Sequence, residues 1–368
     1  MKIGILATAI GNFGEKGVYN SQEVGLAKAL SAGWESVLVY KLTPMDQKEC
    51  IKKVEGYKNV QVHFLPSKQW GVNGLIDLKK IDSSLDVLIY FSDTQIALPK
   101  VYRWAKKNSI GFFPYIGVLE SHSTSKVKRG IINFLSRRNL SIYRKVHCLA
   151  KTPHVEKQLR KYGVSKTTIC PVGLDTSLLN PEMGEASLLK EKYGYEKKDR
   201  VILFIGRMIE EKQPLKMIKV FSRLVKKDEN YKLLMIGKGE LQSRVREEVQ
   251  KRNLSSRVTM IDVMPNRDVQ ELYQFADAFV NLNEQEIFGM AVLEAMYYNC
   301  KVIAMKAPGP NFIIEQGVSG WLVAGEKEII EKMEAPLQEQ GPHNRIISHF
   351  TWNYTAKMIE RLLNLGSS

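Results

Sequence analysis

The chain of 368 residues has no long apolar run. Its longest, such as Val201–Ile205 and Leu233–Ile236, are strand-sized and far short of the ~20 residues a membrane-crossing helix needs, so no such helix is expected. Cysteines are few: Cys50, Cys148, Cys170 and Cys300 stand far apart, with no Cys-x-x-Cys pair and no histidine at ligand spacing. That excludes a disulfide framework and a zinc site, and suits reduced thiols. No short-period repeat or low-complexity tract is present. There is also no zinc-finger spacing, RNP-like aromatic motif or recognisable helix-turn-helix, so nucleic acid is not an expected partner despite the net charge of +15. Met1–Ala7 carries one charge among apolar residues but runs straight into a glycine-rich turn. It reads as a first buried strand more than a secretory signal, which predicts a cytoplasmic protein.

The first half lacks acid. Residues 1–180 hold 27 Lys and Arg against 13 Asp and Glu, whereas residues 181–368 hold 27 against 26. Residues 101–150 contain ten basic residues and a single acid, Glu120. Across 126–145, Lys126, Lys128, Arg129, Arg137, Arg138, Arg144 and Lys145 are mixed with Ile131, Ile132, Phe134, Leu135, Leu140, Ile142 and Tyr143. Two readings stay open: a helix lying on an anionic membrane surface, or a solvated basic helix around a core stripe.

With 44% hydrophobic residues the chain can bury a sizeable core, and its length suggests two domains. Strand-type runs alternate with helix-length segments. In the first half these are Lys2–Leu6, Ser36–Tyr40, Val60–Leu65, Val87–Phe91 and Gly111–Ile116, with helices at Gln22–Leu30 and Leu98–Lys107. The alternation restarts with Arg200–Gly206, Lys232–Gly237, Val258–Val263, Ala278–Asn281 and Lys301–Met305. The pattern predicts an α/β fold of two doubly wound, Rossmann-like domains facing a central cleft. Domain ranges of 1–175 and 176–349 follow, with 350–368 as a last helix packing back on the first domain. The break lies where Pro171, Gly173, Asn180 and Pro181 interrupt the pattern.

Ligands of such sheets bind outside the carboxyl ends of the strands. Gly206 and Arg207 follow one strand, with Lys212 five positions on; a guanidinium there can fork onto two phosphate oxygens while an ammonium acts as a point charge. Gly237-Lys238-Gly239 follows the next strand as a tight loop that could approach a nucleotide closely. After the run ending at Leu282 comes Glu286-Ile287-Phe288-Gly289, then a helical pattern containing Glu294, eight positions beyond Glu286. The amides of Phe288, Gly289 and Met290 are expected among the unpaired donors of that helix start, a place that attracts phosphate. On these residues alone, the two glutamates fit equally well as surface acids favoured by a helix N-terminus.

Taken together, Gly206-Arg207 with Lys212, Gly237-Lys238-Gly239, Tyr273-x-x-Ala276-Asp277, Glu286-x7-Glu294, Gly309-Pro310, Gly317–Val323 and Phe350-Thr351-Trp352 resemble the donor domain of retaining GT-B glycosyltransferases of family four. The likeness spans about 200 through 355 and is looser in the first half, at Gly17, Glu23–Ala27, His122 and Val172–Asp175. The resemblance implies a nucleotide-diphosphate sugar as donor and a saccharide acceptor; the basic first half favours an acceptor carried on a lipid at the inner face of the cell membrane over a protein or soluble small-molecule acceptor. The resemblance also implies that Arg207 and Lys212 neutralise the departing diphosphate, with Gly206 and Gly237 shaping the loops around it. Glu286 would hold the hydroxyls of the transferred sugar and Glu294 those of the ribose. Phe288, Gly289 and Met290 would hold the sugar-phosphate end, Val263 and Met264 would lie against the base, Gly17 would meet the diphosphate from the first domain, and His122 would face the donor sugar. No Asp-x-Asp stands near the site, so no metal or other cofactor is expected. Three positions depart from the pattern: Asn299-Cys300-Lys301 replaces Gly-x-Pro, Phe312 replaces a glutamate, and Lys16-Gly17 replaces a glycine pair, which leaves the reaction class intact and the donor open.

Overall fold

A computed structural model describes residues 1–10, 21–71, 73–92, 96–120, 126–180 and 184–365. The chain divides into two compact units, one formed by Met1–Asp175 with Thr351–Ser368 and the other by Thr176–Phe350.

In the first unit the elements run β1 (Lys2–Ala7), α1 (Gln22–Leu30), β2 (Ser36–Thr43), β3 (Cys50–Val54), β4 (Tyr57–Pro66), β5 (Lys68–Trp70), β6 (Asn73–Leu75), β7 (Val87–Phe91), α2 (Leu98–Lys107), β8 (Gly111–Ile116), α3 (Lys126–Tyr143), β9 (Cys148–Ala150), α4 (Pro153–Lys161) and β10 (Thr167–Ile169). Eight of the strands form one sheet in the order β10-β9-β8-β7-β1-β2-β4-β3. All neighbours in it are parallel except β3, which turns back antiparallel on β4 at the edge. The central strands are apolar along their length, as a sheet covered on both faces requires: Val87–Phe91 is buried at every position.

The second unit runs α5 (Ala186–Lys192), β11 (Arg200–Ile205), α6 (Pro214–Val225), β12 (Tyr231–Ile236), α7 (Gln242–Lys251), β13 (Val258–Ile261), α8 (Asn266–Phe275), β14 (Ala278–Asn281), α9 (Met290–Tyr297), β15 (Val302–Met305), α10 (Pro308–Ile313), β16 (Trp321–Val323), α11 (Glu326–Glu334) and α12 (Gly341–His349). Its six strands are all parallel, in the order β13-β12-β11-β14-β15-β16. Counted within the unit this is 3-2-1-4-5-6, the doubly wound order of dinucleotide-binding sheets. The last helix, α13 (Trp352–Leu365), belongs to the first unit, where the Trp352 indole packs so closely on α1 that a Cβ at Gly25 would come within 2.4 Å of it. Phe350 stays with the second unit. Among the described residues no helix is long and apolar enough to cross a membrane.

Candidate active site

β11 and β14 are neighbours, yet the strands that follow each of them lie on opposite sides of the pair. Such a switch point leaves room outside the strand ends because the connections diverge there. The loops that leave these two ends carry Arg207 and Lys212 on one side, Asn281, Asn283 and Glu286 on the other.

Lys212 sits at the end of a 3-10 turn, Glu210–Lys212, and its Nζ donates to Glu286 Oε2 at 2.6 Å. Asn283 Nδ2 donates to the same oxygen at 3.2 Å and Asn281 Nδ2 at 3.5 Å. Both asparagines are 8% exposed, and Asn281 Oδ1 accepts from the Asn283 amide at 3.0 Å, which fixes one by the other. The three bonds onto the carboxylate all end on Oε2, so that among the described residues Oε1 is left to take hydrogen bonds from outside. The glutamate is therefore held in one orientation. The adjacent Glu284 is engaged elsewhere: Lys216 of α6 lies 3.0 Å away and, with Gln213, holds its carboxyl below the usual range. Arg207 is exposed on its loop and has no side-chain hydrogen bond or ion pair among the described residues.

Glycines bring these loops together. A Cβ on Gly237, whose φ is 132°, would lie 2.0 Å from the Gly206 carbonyl oxygen, and one on Gly239 would lie 2.5 Å from that of Met208. The two loops are stitched by the Met208 amide donating to Lys238 O at 3.1 Å and the Leu241 amide donating to Met208 O at 2.9 Å. A third loop joins them: the Gly309 amide donates to Glu286 O at 2.8 Å, and a Cβ there would come within 2.1 Å of Phe288 O. Gly289, with φ 101°, caps α9 without a side-chain acceptor. The helix thus begins at Met290, and its open first-turn amides among the described residues are those of Met290 and Ala291; Phe288 and Gly289 stand ahead of the helix, because the left-handed glycine breaks the helical path.

Glu294 lies one turn into α9 and is 2% exposed, with the Tyr273 hydroxyl donating to its Oε2 at 3.3 Å. A surface acid at a helix start is excluded for it. Val263, 62% exposed, and Met264 follow β13, two strands from β11. Phe312, in the place of a glutamate, puts its ring edge-on to Phe350 at 5.2 Å, while Arg345 donates to the Phe312 and Ile313 carbonyls at 3.2 and 3.1 Å. Gly17 and His122 lie outside the described residues. Asn281 and Asn283 escaped sequence reading, although their spacing of two, from the last residue of a strand, puts both on one side. Among the described residues no cluster of three or more His, Cys, Asp or Glu is placed to hold a metal ion.

Residues 186–349 match the family model described as glycosyl transferases group 1. This stretch, under half of the chain, is similar to the group 1 glycosyltransferases. Over 204 residues, 52% of the chain, it is 23% identical to D-inositol 3-phosphate glycosyltransferase of Segniliparus rotundus. Over 172 residues, 46% of the chain, it is 25% identical to alpha-monoglucosyldiacylglycerol synthase of Streptococcus pneumoniae. The matched stretches span 45% and 39% of those relatives' lengths. Anabaena HepE, solved in complex with UDP and glucose, superposes with a TM-score of 0.70 at 16% identity over 99% of both chains. The fold is GT-B, two Rossmann-like units, and the stretch that matches the family model lies within the unit that holds the Lys212–Glu286 pair.

Proposed function

We propose that the protein is a retaining glycosyltransferase that moves a sugar from a nucleotide-diphosphate donor to a saccharide acceptor carried on a lipid at the cytoplasmic membrane face. The ion pair of Lys212 and Glu286 at the switch point carries this reading. An ammonium has three donors; with one given to Glu286, two remain for diphosphate oxygens, and Arg207 supplies a second cation beside them. Glu286 Oε1 accepts from hydroxyls of the transferred sugar, the amides of Met290 and Ala291 face the sugar-phosphate end, and Glu294 with Tyr273 serves the ribose. Glu286 Oε2, held by an ammonium and two amides, is fixed in place, as a positioning group requires. That supports a same-face reaction in which the leaving phosphate takes the acceptor proton and Glu286 positions. The two cations handle the phosphate charge, and the reaction is metal-independent.

A screen of uridine, guanosine and adenosine diphosphate sugars, with nucleotide diphosphate release as the readout, tests the assignment. The HepE complex makes uridine donors the first choice. Release from at least one donor, undiminished by EDTA, is the expected result; no release from any donor overturns the function, and loss with EDTA overturns metal independence.

A lipid-borne acceptor is supported by α3. Ile131 and Phe134 are 49% and 70% exposed, with Arg137 and Arg138 exposed beside them. Ile131, Phe134 and Arg138, at i, i+3 and i+7, share one face of the helix. Apolar side chains flanked by cations suit an anionic lipid surface, and the Streptococcus relative is named for a diacylglycerol lipid. The protein should float with vesicles containing anionic lipid at low salt and come off as salt rises, and Phe134→Asp should weaken the binding. Failure to float at low salt favours a soluble or protein acceptor.

A further inference from the structure

The segment that carries Glu286 is held from behind as well as from the side of Lys212. Glu286 O accepts from the Gly309 amide at 2.8 Å, and a Cβ at Gly309 would meet Phe288 O at 2.1 Å, so the backbones touch. Gly309 lies in the first turn of α10, and α10 is a poor support by itself. It has six residues, prolines at 308 and 310 that donate no amide, and no side-chain cap at its start. Its place must be set from outside.

Arg345 of α12 does so. Its Nε donates to Ile313 O at 3.1 Å and its Nη2 to Phe312 O at 3.2 Å; these are the last two carbonyls of α10, where a cation is favoured. The same guanidinium lies 5.3 Å over the ring of Phe350, which is buried. Against that ring pack Phe312 of α10, edge-on at 5.2 Å, and Phe288 of the Glu286 segment, edge-on at 6.4 Å. The site segment and the helix behind it thus rest on one ring, and Arg345 holds both the helix and the ring. Phe312, which stands where the family pattern has a glutamate, matters here. A carboxylate at 312 would compete for the guanidinium. With phenylalanine, no carboxylate pairs with Arg345 among the described residues, and its fork stays on the two carbonyls.

We propose that Arg345 is a positioning residue for sugar transfer: from α12, outside the proposed donor contacts, it holds α10 against the Glu286–Phe288 segment and so sets where Glu286 meets the transferred sugar. The inference rests on the glycosyltransferase reading. It also accounts for Phe312, whose ring replaces the acid that would draw the guanidinium away.

Hydrogen exchange of the Gly309 amide, followed by NMR on the full chain without ligand, reads the contact, and nucleotide release from UDP-, GDP- and ADP-glucose reads its consequence. In Arg345→Met, which keeps the apolar stem and loses the fork, Gly309 should exchange about tenfold faster, the effect of losing one hydrogen bond. With the donor that the wild type turns over, kcat should fall about tenfold, because a small displacement of a group at the reacting centre is costly. The matching nucleoside diphosphate, which lacks the sugar, should bind as it does to the wild type; a loss of kcat without loss of that affinity separates positioning from a general loosening of the unit. Phe312→Glu leaves Arg345 in place and offers it an acid, so it should show the same two changes in smaller measure, and it carries the test should Arg345→Met fail to fold. Exchange at the wild-type rate in the variants, or faster exchange with kcat unchanged, overturns the proposal. A wild type that releases no nucleotide from any of the three donors strikes at the glycosyltransferase reading instead, and the exchange rates still decide whether Arg345 holds the segment.

Discussion

Glu286→Ala is expected to lower sugar transfer by about a thousandfold, the scale of removing a group aimed at the reacting centre. Nucleotide binding and the fold should survive. The side chains of Glu286 and Lys212 keep 16% and 25% of their exposure, so the ammonium left behind reaches solvent and is not stranded in the core. Lys212→Ala should be comparably damaging, because it removes the proposed phosphate contact and releases Glu286 to swing on its two asparagines. The double variant should be little worse than either single one, since groups that act as a unit are not additive. Steady-state kinetics on the three variants, with thermal unfolding as control, decide the matter. Turnover of Glu286→Ala at the wild-type rate would remove this residue from the site.

Much of this arrangement was legible in the chain as residue types at strand ends. Alternating apolar runs mark the parallel sheets, and Arg207, Lys212 and Glu286 each follow one. The pairing of Lys212 with Glu286 was not legible, because 74 positions separate them. Their contact depends on β14 lying beside β11 with β12 and β13 on the far side, a fact of strand order that no local pattern encodes. The short strands were missed for a different reason. β9, β10 and β16 have three residues each, too few for a period of two, and β3, Cys50-Ile51-Lys52-Lys53-Val54, is largely exposed at a sheet edge and charged like a loop. Glu294 is the instructive intermediate case. It sits within Ala291–Met296, an otherwise apolar stretch, and a helix apolar all round is buried, so its burial could have been read from its neighbours.

Gly237→Ala tests whether the close approach of the two loops, more than any single side chain, builds the proposed donor site. The added methyl would lie 2.0 Å from the Gly206 carbonyl oxygen, at a backbone φ of 132° that alanine rarely adopts. No rotamer relieves the clash, because the obstacle is backbone. Either loop can give way only by straining the Gly206 amide bond to Ile236 O, the Gly237 amide bond to Ile261 O and the two bonds that join Met208 to the Lys238 loop. A cost of about 3 kcal/mol is expected, or a melting temperature lower by roughly 10 °C. Gly194→Ala in the same unit separates the causes: its φ is 79°, but nothing lies within 4 Å of the added carbon, so it should cost only about 1 kcal/mol. Donor binding should follow the same split, weakened in Gly237→Ala because Arg207 and Lys212 hang from the loop that must move, and unchanged in Gly194→Ala. If Gly237→Ala melts with Gly194→Ala and binds UDP as tightly as the wild type, the contact of the loops is incidental, and the placement of the two cations must be set by α6 and the 3-10 turn alone.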